Sequence, residues 1–143
     1  LNLENNQLTD ASPLARLTQL QKLKLYGNPL SDVRPLAKLT QLEDLHLTCS
    51  QLTDVGALAG LTKLKTLILS GKNQLTDVSA LAGLTQLKKL YLSYNQLTDV
   101  SPLAKLTDLE SLYLRDNPNL TKAQIDKLQK ALPNCKINHN AKK

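Results

Sequence analysis

The sequence predicts an α/β solenoid in which short parallel strands form one sheet and short helical turns run along the opposite side. The pattern LxxLxLxxN recurs with a period of 22 residues, and each copy is followed by a nearly constant second half, TDVxxLAxLT. In addition, 35 of the 143 residues are leucine, whereas Trp and Phe are absent. A fixed period of roughly 20 to 50 residues is typical of repeat architectures. Regularly placed leucines can build the core that large aromatic residues usually supply.

The repeats divide the chain into units that we predict to form a single domain, residues 1–143. Residues 1–19 hold a partial first repeat, and residues 109–143 hold the last repeat and a C-terminal cap. The full repeats between them are residues 20–41, 42–63, 64–86 and 87–108. Ser50 replaces the motif asparagine in the second full repeat, and the third carries one extra residue around Lys72. We therefore expect a local irregularity in this part of the solenoid.

Each repeat is predicted to contain one strand and one return segment. Leucines alternate with other residues in the first half, and successive side chains of a strand point to opposite faces. Parallel strands cannot be joined by a tight hairpin, so the second half must run back along the opposite side with its apolar residues turned inward. An aspartate precedes these apolar residues, where its carboxylate can cap a short helical turn. The aspartates in question are Asp32, Asp54, Asp77 and Asp99.

These repeats resemble those of leucine-rich-repeat proteins, in particular the 22-residue class of bacterial internalin-like proteins. The resemblance covers essentially the whole chain. It implies a right-handed, horseshoe-shaped solenoid with a concave parallel β-sheet and short helical turns on the convex side. It also implies a structural role for the motif asparagine, whose side chain satisfies backbone groups in the bend after the strand. The asparagines of this ladder are Asn6, Asn28, Asn73, Asn95 and Asn117.

The C-terminal segment differs from the repeats and is predicted to close the solenoid. Thr121 and Gln124 have the spacing of a capping box, and Ile125, Leu128 and Leu132 follow at helical spacing. The sequence LPNCKINHN then fits a degenerate copy of the strand motif. We therefore expect a longer capping helix followed by a final strand. Repeat stacks need polar caps at their ends to stay soluble, and this lysine-containing segment has that character.

The basic net charge does not predict a nucleic-acid partner. The formal net charge is +6 and the sequence pI is about 9.4. However, residues 1–120 carry 12 Lys or Arg against 11 Asp or Glu, and residues 121–143 carry 6 against 1. The lysines of the predicted strands are interleaved with acidic residues, which is typical of a solvated mixed-charge surface. No run of eighteen apolar residues is present, so we expect no membrane insertion; whether a signal peptide has been removed stays open.

The sequence offers little for catalysis or for a cofactor. Asp44, His46 and Thr48 share one strand face, but an open sheet neither excludes water nor supplies oxyanion donors, so we predict no enzyme. His46 and Cys49 are too few for a structural zinc site.

Cys49 and Cys135 lie about four repeats apart, on the order of 20 Å at the spacing of parallel strands. We expect no disulfide, no metal and no cofactor, and we favour a bacterial cytoplasmic or surface protein.

Binding residues are predicted on the exposed face of the sheet, where equivalent positions of successive repeats align into columns. The middle column places Ile68, Tyr91 and Tyr113 on consecutive strands, about one strand spacing apart. All four aromatic residues of the chain are assigned to this concave face. Aromatic and arginine side chains are enriched at the energetic centres of protein interfaces. The predicted partner-binding residues are Tyr26, His46, Ile68, Tyr91, Tyr94, Tyr113 and Arg115.

The sequence therefore predicts a module that recognises another protein, of unknown identity, through its concave face. A simpler interpretation is that Tyr91 and Tyr113 form a cross-strand pair that stabilises the sheet. Two other functions stay open at this point. The edge around Leu1 and Leu3 has no predicted cap and could self-associate in an assembly role, and the concave tyrosines could bind glycans.

Overall fold

The computed structural model describes residues 1–48, 52–70 and 74–142, and in these residues the strands form one parallel sheet. The strands are β1 Lys22–Lys24, β2 Asp44–His46, β3 Thr66–Ile68, β4 Lys89–Tyr91, β5 Ser111–Tyr113 and β6 Lys136–Asn138, and the helix α1 is Lys122–Ala131. The strands follow one another across the sheet in chain order, from β1 to β6. This arrangement confirms the predicted solenoid, because each repeat adds one strand beside the previous one.

The parallel register keeps equivalent positions of the repeats side by side. Leu45 in the middle of β2 lies between Leu23 of β1 and Leu67 of β3, and the same pairing continues to β5. The N-terminal residues extend the sheet beyond β1, since the Leu3 amide donates to the Lys24 carbonyl at 2.9 Å. A side chain's column on the sheet is therefore fixed by its position in the repeat.

The return segments form short 3-10 turns on the opposite side of the solenoid. These turns are Ser12–Arg16, Arg34–Lys38, Gly56–Gly60, Ser79–Gly83 and Ser101–Lys105. Before each turn an aspartate carboxylate accepts a hydrogen bond from the backbone amide two residues later, as Asp99 does from Ser101 at 2.8 Å. Asp54 accepts from the Gly56 amide in the same way, at 2.8 Å. The four predicted aspartates thus satisfy the first amide of the last four turns, and Asp10, which was not predicted, does the same for the first turn.

Leucines from the strands and the 3-10 turns form one continuous core. The cluster runs from Ala11 to Cys135 and contains no aromatic side chain among the described residues. At the N-terminal edge Leu1 and Leu17 are 49% and 42% exposed, and Leu3 packs only partly against the core.

The C-terminal end is closed by α1 and β6, as predicted. The Thr121 hydroxyl accepts from the Gln124 amide at 3.3 Å, and the Gln124 side chain accepts from the Thr121 amide at 2.9 Å. This capping box begins α1, whose Ile125 and Leu128 are buried, and the helix packs against the 3-10 turn Ser101–Lys105. Cys135 is 4% exposed, and its burial raises the pKa of the thiol to about 11, as expected for a small apolar core residue.

Several predictions concern residues outside the described ranges. The expected irregularity around Ser50 and Lys72, the free Cys49 and the ladder member Asn73 all fall in residues 49–51 and 71–73. Across the ranges that are described, no helix has both the length and the apolar character needed to cross a membrane.

Candidate functional site

The concave face is the face of the sheet that points away from the leucine core. Its middle column places Lys24 beside His46, His46 beside Ile68, Ile68 beside Tyr91 and Tyr91 beside Tyr113. All five side chains are half-buried, because each packs against its neighbours while its tip stays in solvent. The column changes from charged at β1 to apolar and aromatic at β3 to β5.

Tyr91 and Tyr113 form a stacked pair on β4 and β5. Their ring centroids lie 4.4 Å apart and their planes differ by 4°. Burial raises the pKa of Tyr91, and the neighbouring phenol of Tyr113 adds to this shift. Because stacking covers one face of each ring, this pair offers fewer open ring faces to solvent than two separate rings would.

Tyr26 and Tyr94 lie at the sides of a shallow pocket on the same face and are 50% and 58% exposed. We call this concavity, of about 340 Å³, the tyrosine pocket. The residues that line the tyrosine pocket are Glu4, Tyr26, His46, Thr48, Ile68, Ser70 and Tyr94. The pocket exists because short side chains, Thr48 and Ser70, lie between two long ones. It brings together four of the predicted binding residues, and it adds three that sequence reasoning did not select.

Tyr94 has a left-handed backbone, with φ at 62°. The residue before the motif asparagine has this conformation elsewhere too, at Asn5, Gly27 and Asp116. Glycine, asparagine and aspartate adopt it readily, but for a bulky residue it is a genuine outlier. The sequence signal was available in the alignment of the repeats, since tyrosine occupies a place where another repeat has glycine.

His46 is one of the titratable side chains that line the tyrosine pocket. Burial lowers the pKa of the imidazole, and repulsion from Lys24 lowers it further, whereas Asp44 and Glu4 act in the opposite direction. Asp44 is itself 3.8 Å from the Lys22 ammonium. His46 is therefore predominantly neutral at neutral pH and can accept a hydrogen bond.

The asparagine ladder lies behind the concave face, in the bends that follow the strands. Its buried members among the described residues are Asn28, Asn95 and Asn117. The Asn117 amide nitrogen donates to the Leu114 carbonyl of its own repeat and to the Leu92 carbonyl of the preceding repeat, each at 3.0 Å. Asn28 and Asn95 make the same two kinds of bond. Asn6 differs because it is exposed and bonds only to carbonyls of its own bend.

One ladder oxygen stands apart from its equivalents. The Asn117 side-chain oxygen accepts from the Leu97 amide at 3.3 Å, and the Asn28 oxygen accepts from the Leu8 amide at 3.1 Å. The buried Asn95 oxygen meets no donor in the described part of the chain. The repeat before Asn95 is the one with the extra residue, so the sequence irregularity and this missing bond coincide.

Arg115 is exposed on the same face, in the column next to Tyr113. Beyond it, Asp116 pairs with Asn140, which accepts from the Asp116 amide at 2.8 Å and donates to its carboxylate at 3.0 Å. Residues 1–48, 52–70 and 74–142 contain no group of three or more His, Cys, Asp or Glu that could hold a metal ion. The face thus offers aromatic rings, hydroxyl groups and a few charges, which suit it to contacts with another molecule.

Comparison with known proteins agrees with this architecture. A family model described as leucine-rich repeats in two copies matches residues 1–38, 18–59, 40–83 and 85–134. A search of curated protein sequences gives no match.

Solved structures of bacterial repeat proteins are similar to the chain. An internalin (inlF) of Listeria monocytogenes is 36% identical with a TM-score of 0.92, over 100% of this chain and 42% of that one. Internalin C2 of the same species is 42% identical with a TM-score of 0.87, over 94% and 57%. A leucine-rich-repeat protein of Leptospira interrogans is 29% identical with a TM-score of 0.84, over 96% and 36%.

The chain thus spans about half the length of these two internalin structures. Family model, sequence identity and backbone similarity all agree over nearly every repeat. The chain belongs to the leucine-rich-repeat family and has the internalin-like form of its fold.

Proposed function

We propose that this chain recognises another protein through its concave face and performs no catalysis. The leucine-rich-repeat fold itself suggests a protein–protein interaction module. The observation that carries the proposal is the placement of aromatic residues. Four tyrosines are the whole aromatic content of the chain, and all four lie on the concave face, whereas the core is built from leucine.

The energetic centre that we propose is the row Ile68, Tyr91 and Tyr113, with Arg115 beside it. A contiguous half-exposed apolar surface of this kind usually marks an interaction site in a soluble protein. Tyrosine also combines a large contact area with a polar tip, which suits the desolvated centre of an interface. Tyr26, His46 and Tyr94 would extend the contact toward the N-terminal repeats.

The backbone of Tyr94 supports binding over a purely structural role for the tyrosines. A left-handed conformation at a bulky residue costs on the order of 1–3 kcal/mol, and such residues cluster at functional sites. Among the large apolar residues that the structure describes, Tyr94 has the most exposed side chain. Its ring therefore gains little from packing that would offset this strain in the free protein.

The stacked pair favours a protein partner over a glycan. Sugars bind aromatic rings through the ring face, and in Tyr91 and Tyr113 the facing sides are already covered by one another. Protein side chains can pack against the remaining edges and accept hydrogen bonds from the phenols. To test this step, oligosaccharides are added to the complex of the chain with a captured partner protein. We expect that they do not displace the partner.

In the experiment, a partner protein is first captured by binding to the immobilised chain and is then purified. Its affinity for wild-type chain is compared with that for the double variant Tyr91→Ala with Tyr113→Ala, by calorimetry. We expect at least a tenfold loss, since truncation of interface centres commonly costs more than about 1.4 kcal/mol. The matched control is Lys38→Ala with Lys105→Ala on the convex side, which should bind normally.

Circular dichroism and light scattering accompany these titrations. An unfolded double variant would support the interpretation that the tyrosine pair serves the sheet. A folded double variant with wild-type affinity would contradict binding through the concave face. If the chain forms concentration-dependent dimers that persist in the double variant, an assembly role through the N-terminal edge replaces the proposal.

A further inference from the structure

We propose that the tyrosine pocket receives an arginine side chain of the protein partner. This inference rests on the proposed function and specifies the chemistry of the partner's contact at one place on the concave face. It depends on the shape of the pocket, on one carboxylate and on two aromatic rings.

The shape of the pocket suits a long, planar-tipped side chain. Tyr26 and Tyr94 stand at its sides, while Thr48 and Ser70 between them are short. The space of about 340 Å³ is open to solvent at the concave face, so a side chain can enter without rearrangement of the sheet. Hydroxyl groups at the base can accept hydrogen bonds from the N–H groups of a guanidinium.

Glu4 gives the pocket an available negative charge. Two other acidic side chains, those of Glu43 and Asp44, are ion-paired: Glu43 lies 2.9 Å from Lys65, and Asp44 lies 3.8 Å from Lys22. Within the part of the chain that the structure describes, Glu4 forms no such ion pair. A guanidinium can bind a carboxylate through two parallel hydrogen bonds, which makes arginine the natural counterpart of Glu4.

The tyrosine rings favour the same kind of ligand. Tyr26 and Tyr94 are both at least half exposed, so their ring faces are accessible, whereas one face of each ring in the stacked pair is covered. A guanidinium over a tyrosine face gains cation–π attraction and planar stacking, and it is more weakly hydrated than an ammonium. Carboxylate, rings and hydroxyls thus converge on one cationic, planar group.

His46 makes the fit dependent on pH. The charged groups that act on His46 are Lys24 on β1, Asp44 on its own strand and Glu4 in the N-terminal segment. At neutral pH the imidazole is predominantly uncharged, and Lys24 is the one cation among these groups. Protonation of His46 adds a second positive charge beside the ligand, so binding should weaken as the pH falls through the lowered pKa of His46.

The test uses two blocked tripeptides, acetyl-Gly-Arg-Gly-amide and the same peptide with citrulline. Citrulline has nearly the shape of arginine but no charge, so the pair isolates the cation. Binding is followed by NMR titration of backbone amide resonances around the pocket at pH 7.5 and pH 5.5. We expect the arginine peptide to bind at least fivefold more tightly than the citrulline peptide at pH 7.5, and this difference to shrink at pH 5.5.

Two variants locate the contact. Glu4→Gln should abolish the preference for arginine. It should leave the fold intact, because the Glu4 carboxylate forms no ion pair with any residue that the structure describes. Glu110→Gln removes an exposed carboxylate near β5 and should leave the preference unchanged. Equal binding of the two peptides, binding of neither, or a preference that survives Glu4→Gln would each overturn the inference.

The purified partner separates this inference from the proposed function. If Tyr91→Ala with Tyr113→Ala weakens partner binding but Glu4→Gln does not, the concave face binds the partner and the arginine contact is wrong. If Tyr91→Ala with Tyr113→Ala leaves partner binding unchanged, the proposed function is wrong, regardless of the result of the peptide titrations.

Discussion

The two faces of the solenoid repeat the same framework but carry different kinds of information. On the convex side every full repeat presents nearly the same segment, with an aspartate cap, a short 3-10 turn and buried leucines. On the concave side the middle column changes from lysine at β1 to histidine, isoleucine and tyrosine. Because successive side chains of a strand point to opposite faces, these two sets can vary independently. The repeated residues specify the fold, and the varied residues are free to specify a partner.

Leu90→Ala should give the largest loss of stability. A small loss would contradict the assignment of fold stability to the buried side of the strands. Leu90 is fully buried in the middle of β4, and removing a buried leucine side chain costs about 2–5 kcal/mol through lost burial and the cavity left behind. The measurement is the free energy of unfolding in urea. Tyr91→Ala, the next residue on the opposite face, is the matched control and should cost about 1 kcal/mol or less. Equal losses would show that both faces serve the fold.

Asn117→Ala should give an intermediate loss. The substitution removes the side-chain donor of the buried Leu114 carbonyl and the acceptor of the Leu97 amide, whereas the Leu92 carbonyl keeps its bond from Asn95. An unsatisfied buried polar group costs about 1–3 kcal/mol. Asn6→Ala is the control, since Asn6 is exposed, and should change the free energy of unfolding by less than about 0.5 kcal/mol. A cost at Asn6 matching that at Asn117 would contradict a role that depends on burial.

Tyr94→Asn should stabilise the fold by up to about 1 kcal/mol, because asparagine tolerates a left-handed backbone better than tyrosine. The same substitution should weaken partner binding, since it removes one side of the tyrosine pocket. Thermal unfolding and calorimetric titration measure the two effects. Tyr26→Asn, at a position without positive φ, should weaken binding without stabilising the fold. Stabilisation by both variants, or by neither, would refute strain at Tyr94.

Acid should produce the smallest effect, and it acts on the convex caps. The Arg34 guanidinium and backbone amide hold the pKa of Asp32 at about 2, below its ordinary value of 3.8. Hydrogen bonds from Ser12, Ser79 and Ser101 lower the pKa values of their capping aspartates as well. A carboxyl whose pKa is lowered by folding stabilises the fold above the unfolded value and loses this contribution as the pH falls through the folded value.

The melting temperature should therefore decline between pH 3.8 and about pH 2, the two values that bound the titration of Asp32. Arg34→Gln should return the pKa of Asp32 toward its ordinary value and so make this decline smaller, because the guanidinium that holds the carboxyl ionised is gone. A melting temperature that is flat across this range would mean that the caps add nothing to stability.

The regular elements follow from the sequence because each depends on local spacing. Alternating leucines around Leu45 predict β2, and the capping box at Thr121 with Ile125 and Leu128 predicts α1. The degenerate final strand also follows, since Cys135 takes a leucine position and is buried as one. The columns of the concave face come from the same spacing, because the register of the parallel strands preserves it.

The tyrosine pocket is a different matter, since it depends on relative side-chain length across four repeats. No sequence pattern selects Thr48 and Ser70 as binding residues, yet their short side chains leave the space between Tyr26 and Tyr94. The left-handed backbone at Tyr94 is signalled by glycine at the equivalent position of another repeat, Gly27, although tyrosine itself has little propensity for it. The pairing of Asp116 with Asn140 joins residues 24 positions apart, at non-equivalent places in two successive copies of the strand motif.

The placement of the tyrosines also gives the protein a natural optical reporter. With no Trp or Phe in the chain, absorption and emission above about 270 nm arise from the four tyrosines alone. The leucine core is transparent at these wavelengths, so near-ultraviolet signals describe the concave face and not the interior. The stacked rings of Tyr91 and Tyr113, 4.4 Å apart, share a fixed environment, so a ligand that contacts this pair should change the near-ultraviolet circular dichroism of the protein.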